Sequence, residues 1–124
     1  MIAKAQITHK DIYTFRPDQH RGGREMTRVQ IHADLEAHVS ERQELVRDRA
    51  SNTAERTIIT VFRFNTYDKR GEILNLQAGD FISFPDYRGV RQEREIVIVE
   101  PLYVAGPEKI DHFVVITGQL SRRT

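Results

Sequence analysis

The sequence predicts a mainly all-β protein, a small antiparallel β-barrel or sandwich of about six strands, in a single domain over residues 1–124. Short runs of apolar, β-branched and aromatic residues recur along the chain. Turn residues lie between these runs and recur at intervals of roughly a dozen residues, a spacing typical of such folds. Only one segment, at about 40–55, has the composition of a long charged excursion or a short helix. The absence of helical crossovers disfavours a parallel sheet.

The first strand is predicted over residues 11–15, DIYTF, a short aromatic and β-branched run. A loop is predicted over residues 16–25, where Pro17 and the Gly22-Gly23 pair favour turns.

The second strand is predicted over residues 27–39, TRVQIHADLEAHV, where apolar and polar residues alternate. A period of two is typical of a strand with one buried face. The polar set contains His32, Asp34, Glu36 and His38. We interpret it as the face toward water or a subunit partner, because the two histidines would lie about 20 Å apart and could not share a metal ion. A helix starting as early as Asp34 is the rival interpretation.

Residues 40–56 form a highly charged excursion, predicted to protrude as a loop or a short helix. Ser40 and Gln43 have the spacing of a capping box, and good helix formers follow them. Long connections between strands are often functional. We therefore predict that this one lines a channel or orders against another subunit, and a solvated excursion without such a role is the alternative. Its candidate residues are Arg42, Glu44, Arg47, Asp48, Arg49 and Arg56.

The second half of the chain supplies the other strands. The clearest is 56–64, RTIITVFRF, which is dense in residues that favour strands. Ile59 and Val97 are expected in the interior. The remaining predicted strands are within 76–84, entered through a turn at Gly79, then 94–102, closed by Pro101, and 111–120, followed by a frayed tail at 121–124.

The amino-acid composition limits the functions that this chain can have. The net charge of +1 does not demand a nucleic-acid partner, and the lack of cysteine excludes thiolate catalysis and disulfides. No apolar run approaches the roughly 20 residues of a membrane span, and no signal peptide is evident, so we expect a soluble, cytosolically made protein. Asp111 and His112 are neighbours on a predicted strand and are expected to face opposite sides. With no nucleophile or phosphate-loop motif, we predict no enzymatic activity, metal or cofactor.

A single-stranded nucleic-acid-binding, OB-like barrel is the alternative function. Aromatic residues on barrel strands can stack bases, and arginines can contact phosphate. Most of the aromatic residues also fit core positions, and nearby acidic residues offset the arginines. The candidates are Phe62, Phe64, Phe81, Phe84, Tyr87 and Phe113, with Arg63, Arg88, Arg91 and Arg94.

The order of features resembles the head-completion, or head–tail joining, proteins of long-tailed bacteriophages, a family of connector and stopper proteins. The resemblance covers residues 11–120. It is carried by the strand ADLEAHV, the charged excursion after it, and the motifs VFRF, LQAGDFISF and REIVIVEPL. This sequence departs from the family in having a longer stretch, 65–77, before the Gly-Asp turn.

The resemblance implies a small β-barrel with its long excursion between the second and third strands, and a structural function. Copies are expected to form a ring between the portal or adaptor proteins of the filled head and the tail-terminator proteins. The ring closes the head, helps to retain DNA and offers the tail a docking surface. In relatives the matching excursion faces the central channel, where arginines can contact packaged DNA without reading its sequence. The expected location is the head–tail junction of the virion, with no membrane partner.

Overall fold

The computed structural model describes residues 3–18, 27–48, 53–86, 88–104 and 109–118. Six antiparallel strands close into a barrel in the order β1-β2-β3-β6-β5-β4, which confirms the predicted small all-β barrel. No helix in the described part of the chain is long and apolar enough to cross a membrane. A short 3-10 helix, Lys4–Gln6, precedes the strands β1 His9–Asp18, β2 Thr27–Asp48, β3 Thr53–Asn65, β4 Phe81–Pro85, β5 Arg91–Tyr103 and β6 Ile110–Gly118.

The first hairpin extends further than the sequence predicted. β1 continues to Asp18, through Pro17 and into the segment expected to be a loop. Pro17 pairs with Arg28 of β2, whereas β4 pairs with β1 only from Tyr13 to Phe15. Proline is tolerated here because, among the described strands, only β2 pairs with this part of β1, so the missing N–H can face away from the ladder.

The barrel interior is filled by side chains from all six strands. Phe62 stacks on Phe64 with ring centroids 5.9 Å apart, and Phe84 meets Phe62 edge to face at 4.9 Å. Such aromatic pairs contribute about 0.5–1.5 kcal/mol beyond the apolar area they bury. The surrounding buried residues are Ile12, Leu35, Ala37, Leu74, Ile82, Ile96, Phe113 and Val115.

The alternation of β2 is interrupted by a bulge that reverses which residues face inward. Ile12 of β1 lies opposite Leu35, but Thr14 lies opposite His32, so β2 carries one residue more than β1 over this interval. Asp34 adopts a φ of 55°, a conformation that aspartate tolerates better than most residues. The extra residue moves the imidazole to the core side. The predicted solvent face is therefore wrong for His32, which is 7% exposed, although Asp34 is exposed as expected.

The charged excursion is neither a loop nor a helix over most of its length. β2 continues to Asp48, β3 begins at Thr53, and the two strands pair in register down to those residues. The expected loop or short helix at 40–56 is thus corrected to a pair of strands over the described residues 40–48 and 53–56. A helix here would have had only Leu45, Val46 and Ala50 to bury, and short isolated helices are marginal without an apolar face. Cross-strand pairing satisfies the backbone groups of both segments instead.

Residues 41–48 and 53–59 form a two-stranded ribbon, called here the β2–β3 ribbon. Pairing of β1 with β2 begins at Ala37, and pairing of β6 with β3 stops at Thr60. Within the described part of the chain, the strands of the ribbon therefore pair only with each other. At about 3.3 Å per residue, the ribbon extends roughly 25 Å from the barrel.

Candidate functional site

The β2–β3 ribbon brings most of the predicted site residues together. Arg56 lies on β3 opposite Leu45, and four others lie on the outer half of β2, namely Arg42, Glu44, Arg47 and Asp48. Arg49 lies outside the described residues. The register is regular, and pairs such as Arg42 with Ile59 and Glu44 with Thr57 lie directly opposite each other. The sequence signal for this site was its charge density, and the structure adds the extended shape.

Hydrogen bonds at both strands fix the base of the ribbon to the barrel, and the one at β3 is buried. Thr60 and Thr117 are each 1% exposed, and the Thr117 hydroxyl donates to the Thr60 carbonyl at 2.9 Å. On the other strand, the Val39 N–H donates to the Thr8 hydroxyl at 3.0 Å, and the Thr8 N–H donates to the Ala37 carbonyl at 3.2 Å. The ribbon therefore starts from an ordered platform, so its direction is set by the barrel.

The opposite end of the barrel is covered by the connection 66–80 between β3 and β4. The Asp68 carboxylate accepts the N–H groups of Arg70 and Glu72 at 2.8 and 2.9 Å, which closes a tight turn. These backbone hydrogen bonds, that from Glu72 above all, hold the pKa of Asp68 below its usual value. Leu74 then enters the core at 6% exposure.

His32 connects this covering segment to β2. The ring Nε2 accepts a hydrogen bond from the Asn75 N–H at 3.0 Å, and the ring Nδ1 lies 3.5 Å from the Asp68 carboxylate. The backbone N–H of His32 donates to the Thr14 hydroxyl at 3.1 Å. Because Nε2 accepts, the ring proton belongs on Nδ1, next to the carboxylate. The imidazole is thus a structural support inside the barrel.

The Gly-Asp turn carries a buried ion pair that the sequence analysis missed. Asp80 is fully buried, and the Arg16 Nε and Nη2 donate to its two oxygens at 2.9 and 3.0 Å. The hydrogen bond to this carboxylate is the main reason that the pKa of Arg16 is raised. The expected turn is confirmed, since Gly79 has a φ of 95° that favours glycine. The Arg16–Asp80 ion pair therefore connects β1 to the residue that directly precedes β4.

Asp111 and His112 do orient each other, contrary to the expectation from strand alternation. The His112 Nδ1 lies 2.8 Å from an Asp111 carboxylate oxygen. Asp111 is the extra residue of β6 at the register shift opposite Leu102 and Tyr103, and a bulge redirects the side chains beside it. The pKa of His112 is lowered, first because burial disfavours the imidazolium and also because of the positive charge of Arg63.

β5 presents apolar side chains to solvent along its second half. Val97 is the extra residue at a register shift between Ile96 and Ile98, so it is 49% exposed and the expectation that it lies in the interior is wrong. The other exposed apolar residues of this stretch are Ile98, Leu102, Tyr103 and, directly after the strand, Val104.

The aromatic residues proposed for base stacking are mostly internal. Phe62, Phe64, Phe84 and Phe113 belong to the buried core. Phe81 is partly buried beneath the Arg28 guanidinium, 4.2 Å from its ring centroid. Tyr87 lies outside the described residues. Four of the six candidate rings therefore have no face available to a base.

Comparisons with family models, with curated proteins and with solved structures found nothing that matches this chain.

Proposed function

We propose that this chain is a structural virion protein of a long-tailed bacteriophage. Copies form a ring between the portal or adaptor of the filled head and the tail, close the head, help to retain DNA and offer the tail a docking surface. The observation that carries the proposal is the β2–β3 ribbon, which extends about 25 Å from a closed barrel. A ring subunit needs such a projection to reach the channel from a wall of barrels.

The charge of the ribbon suits this position. Residues 40–56 contain four arginines and four acidic residues, so identical ribbons can approach one another without net repulsion. The arginines can still make non-specific contacts with the phosphates of packaged DNA. The hydrogen bond from Thr117 to Thr60 anchors the base of the ribbon to the barrel, so every copy in a ring would carry its ribbon at the same place.

A length series of ribbon variants tests this function. Residues 47–54, 45–56 or 43–58 are each replaced by Asn-Gly, a two-residue hairpin turn. Each replacement joins two residues that are opposite each other in the register, so the remaining strands stay paired. The matched control, Thr57→Val, keeps the full length and favours strand structure.

Purified portal-containing heads are mixed with each variant, and nuclease protection of the packaged DNA is measured. We expect every variant to fold and to join heads, and we expect DNA retention to decrease as the ribbon shortens while the control retains DNA normally. Full retention by the shortest ribbon would overturn its assigned role. Failure of the native protein to join any portal-containing head would overturn the connector function itself.

A single-stranded nucleic-acid-binding barrel is the second candidate, and one surface supports it. Tyr13, Phe15 and Phe81 lie on the adjacent strands β1 and β4, where Phe15 pairs with Phe81. Arg91 lies over the Tyr13 ring at 5.4 Å and Arg28 lies over Phe81. This function predicts binding of a fluorescent oligonucleotide with a steep salt dependence, weakened by Tyr13→Ala. The connector function predicts weak binding or none by the isolated protein.

A further inference from the structure

We propose that neighbouring copies of this chain dock head to tail through two separate surfaces of the barrel. The first, called the knob, consists of Leu102, Tyr103 and Val104. The second, called the cleft, is lined by Arg16, Pro17, Asp18, Val29, Gln30 and Ile31. The inference deepens the proposed function and rests on it, because it names the contact that joins the copies of the ring.

The knob is an exposed apolar end of the β5–β6 hairpin. Leu102, Tyr103 and Val104 are 39%, 51% and 61% exposed, although three consecutive side chains of this size would ordinarily be covered. The backbone beneath them is ordered by pairing of Tyr103 with Ile110 and by the bond from the Val104 N–H to the Lys109 carbonyl, 3.1 Å long. Tyrosine is among the residues enriched in the centres of protein interfaces.

The cleft lies on the β1–β2 hairpin and has a volume of about 440 Å³. Val29 is 53% exposed inside it, and Pro17 and Ile31 add apolar surface. Arg16 contributes mainly its aliphatic stem, since its guanidinium is bonded to the buried Asp80. The cleft is therefore an apolar recess with an ordered wall, of a size that can receive one or two side chains.

The topology makes the contact heterologous. In the closed order β1-β2-β3-β6-β5-β4, two strands separate β2 from β5 in either direction. The start of β5 comes close to the cleft, since Arg28 pairs with Glu93 at 2.7 Å. The knob begins nine residues further along β5, about 30 Å away. The knob of one copy therefore cannot reach its own cleft. Both surfaces lie toward the Asn65 end of β3, away from the β2–β3 ribbon. A heterologous contact repeated about one axis closes into a ring when the rotation from copy to copy divides a full turn, and such a ring carries all ribbons on one side.

Charge and shape indicate a second copy as the occupant. Lys109 borders the knob and Asp18 borders the cleft, so docking brings opposite charges together. The contact is smaller than a standard interface of about 20–30 residues a side, so it holds copies weakly until a ring closes or a partner surface aligns them. A crosslinking test suits a weak contact, and the chain offers a clean background because it contains no cysteine.

Two single-cysteine variants test the contact, Val104→Cys on the knob and Val29→Cys in the cleft. Both side chains are exposed, so neither change disturbs the core. Equal amounts are mixed at high protein concentration and treated with a short bis-maleimide, with a size tag on one variant to distinguish the products. The matched control is Val90→Cys, 50% exposed and outside both surfaces.

We expect the heterodimer of the two variants to exceed the sum of the two homodimers several-fold, and the double variant Val29→Cys/Val104→Cys to give a ladder of larger products. Mixtures with the control should show only random collision. A heterodimer no more abundant than the two homodimers together would overturn the contact. The crosslinking assay uses no heads, so its result is independent of head joining. If the protein joins heads but gives no heterodimer excess, only the contact between knob and cleft is rejected. If it gives the heterodimer excess but joins no heads, only the connector function is rejected.

Discussion

The Arg16–Asp80 pair provides a sharp test of how the barrel is held closed, because its two members differ in burial. The side chain of Asp80 is 1% exposed and that of Arg16 is 30% exposed. Arg16→Met leaves a buried carboxylate whose remaining partner is the Gln77 N–H, 3.1 Å away. Removing one partner of a buried pair costs about 3–5 kcal/mol, and we expect about 3 kcal/mol because water reaches the arginine side.

The reverse change should be milder. Asp80→Asn removes the charge that needs compensation, still accepts the Gln77 N–H, and leaves an arginine that can rehydrate, so we expect a loss of about 1–2 kcal/mol. The double variant should lose about as much as Asp80→Asn alone, since no uncompensated buried charge remains.

Urea unfolding of the four proteins measures these differences. With a slope of about 2 kcal/mol per molar, Arg16→Met should lower the midpoint by roughly 1.5 M. The reasoning is refuted if Asp80→Asn is the more damaging change, or if the effects of the two substitutions add in the double variant.

Three further predictions concern particular side chains. His32→Phe should lower the free energy of unfolding by about 0.5–1.5 kcal/mol, because the partly buried N–H of Asn75 loses its acceptor. A variant as stable as the native protein in urea would contradict the role of the imidazole as a support. The pKa of His112 is lower in the folded protein, so the unfolded chain binds a proton at this imidazole more readily. The stability contributed by the neutral imidazole is therefore complete above about pH 6.5 and is lost as the pH falls toward the folded pKa. His112→Gln should flatten that part of the profile of urea midpoint against pH. Val97→Asp should leave a folded barrel by circular dichroism and Ile96→Asp should not, because only the second places a charge in the core.

The sequence predicted the fold class and the approximate position of every strand because each strand carries a strong local pattern of apolar and β-branched residues. It also identified the charged segment that the structure arranges as the β2–β3 ribbon. It did not predict the extended form of that segment, because helix formers dominate it locally while the strand state depends on pairing between residues such as Asp48 and Thr53.

The remaining errors share one physical cause. His32, Val97 and Asp111 each lie at or beside a register shift, where one strand carries an extra residue. Counting alternate residues assumes an unbroken pleat, and each bulge reverses the result beyond it. Small closed barrels need such bulges to bend their strands, and no residue pattern in this sequence marks where they fall. The knob and the cleft were missed because side-chain exposure depends on which strands end up as neighbours.

The unpaired edges of the ribbon also bear on the tendency of the protein to aggregate. Two lengthwise rows of amide and carbonyl groups, with no other described strand beside them, are a template onto which any extended peptide can add. Closely spaced charges of both signs along 41–56 oppose the addition of an unrelated strand, because an incoming strand must match the charge pattern as well as the backbone. We therefore expect the mixed charge pattern of the ribbon to oppose aggregation of the protein.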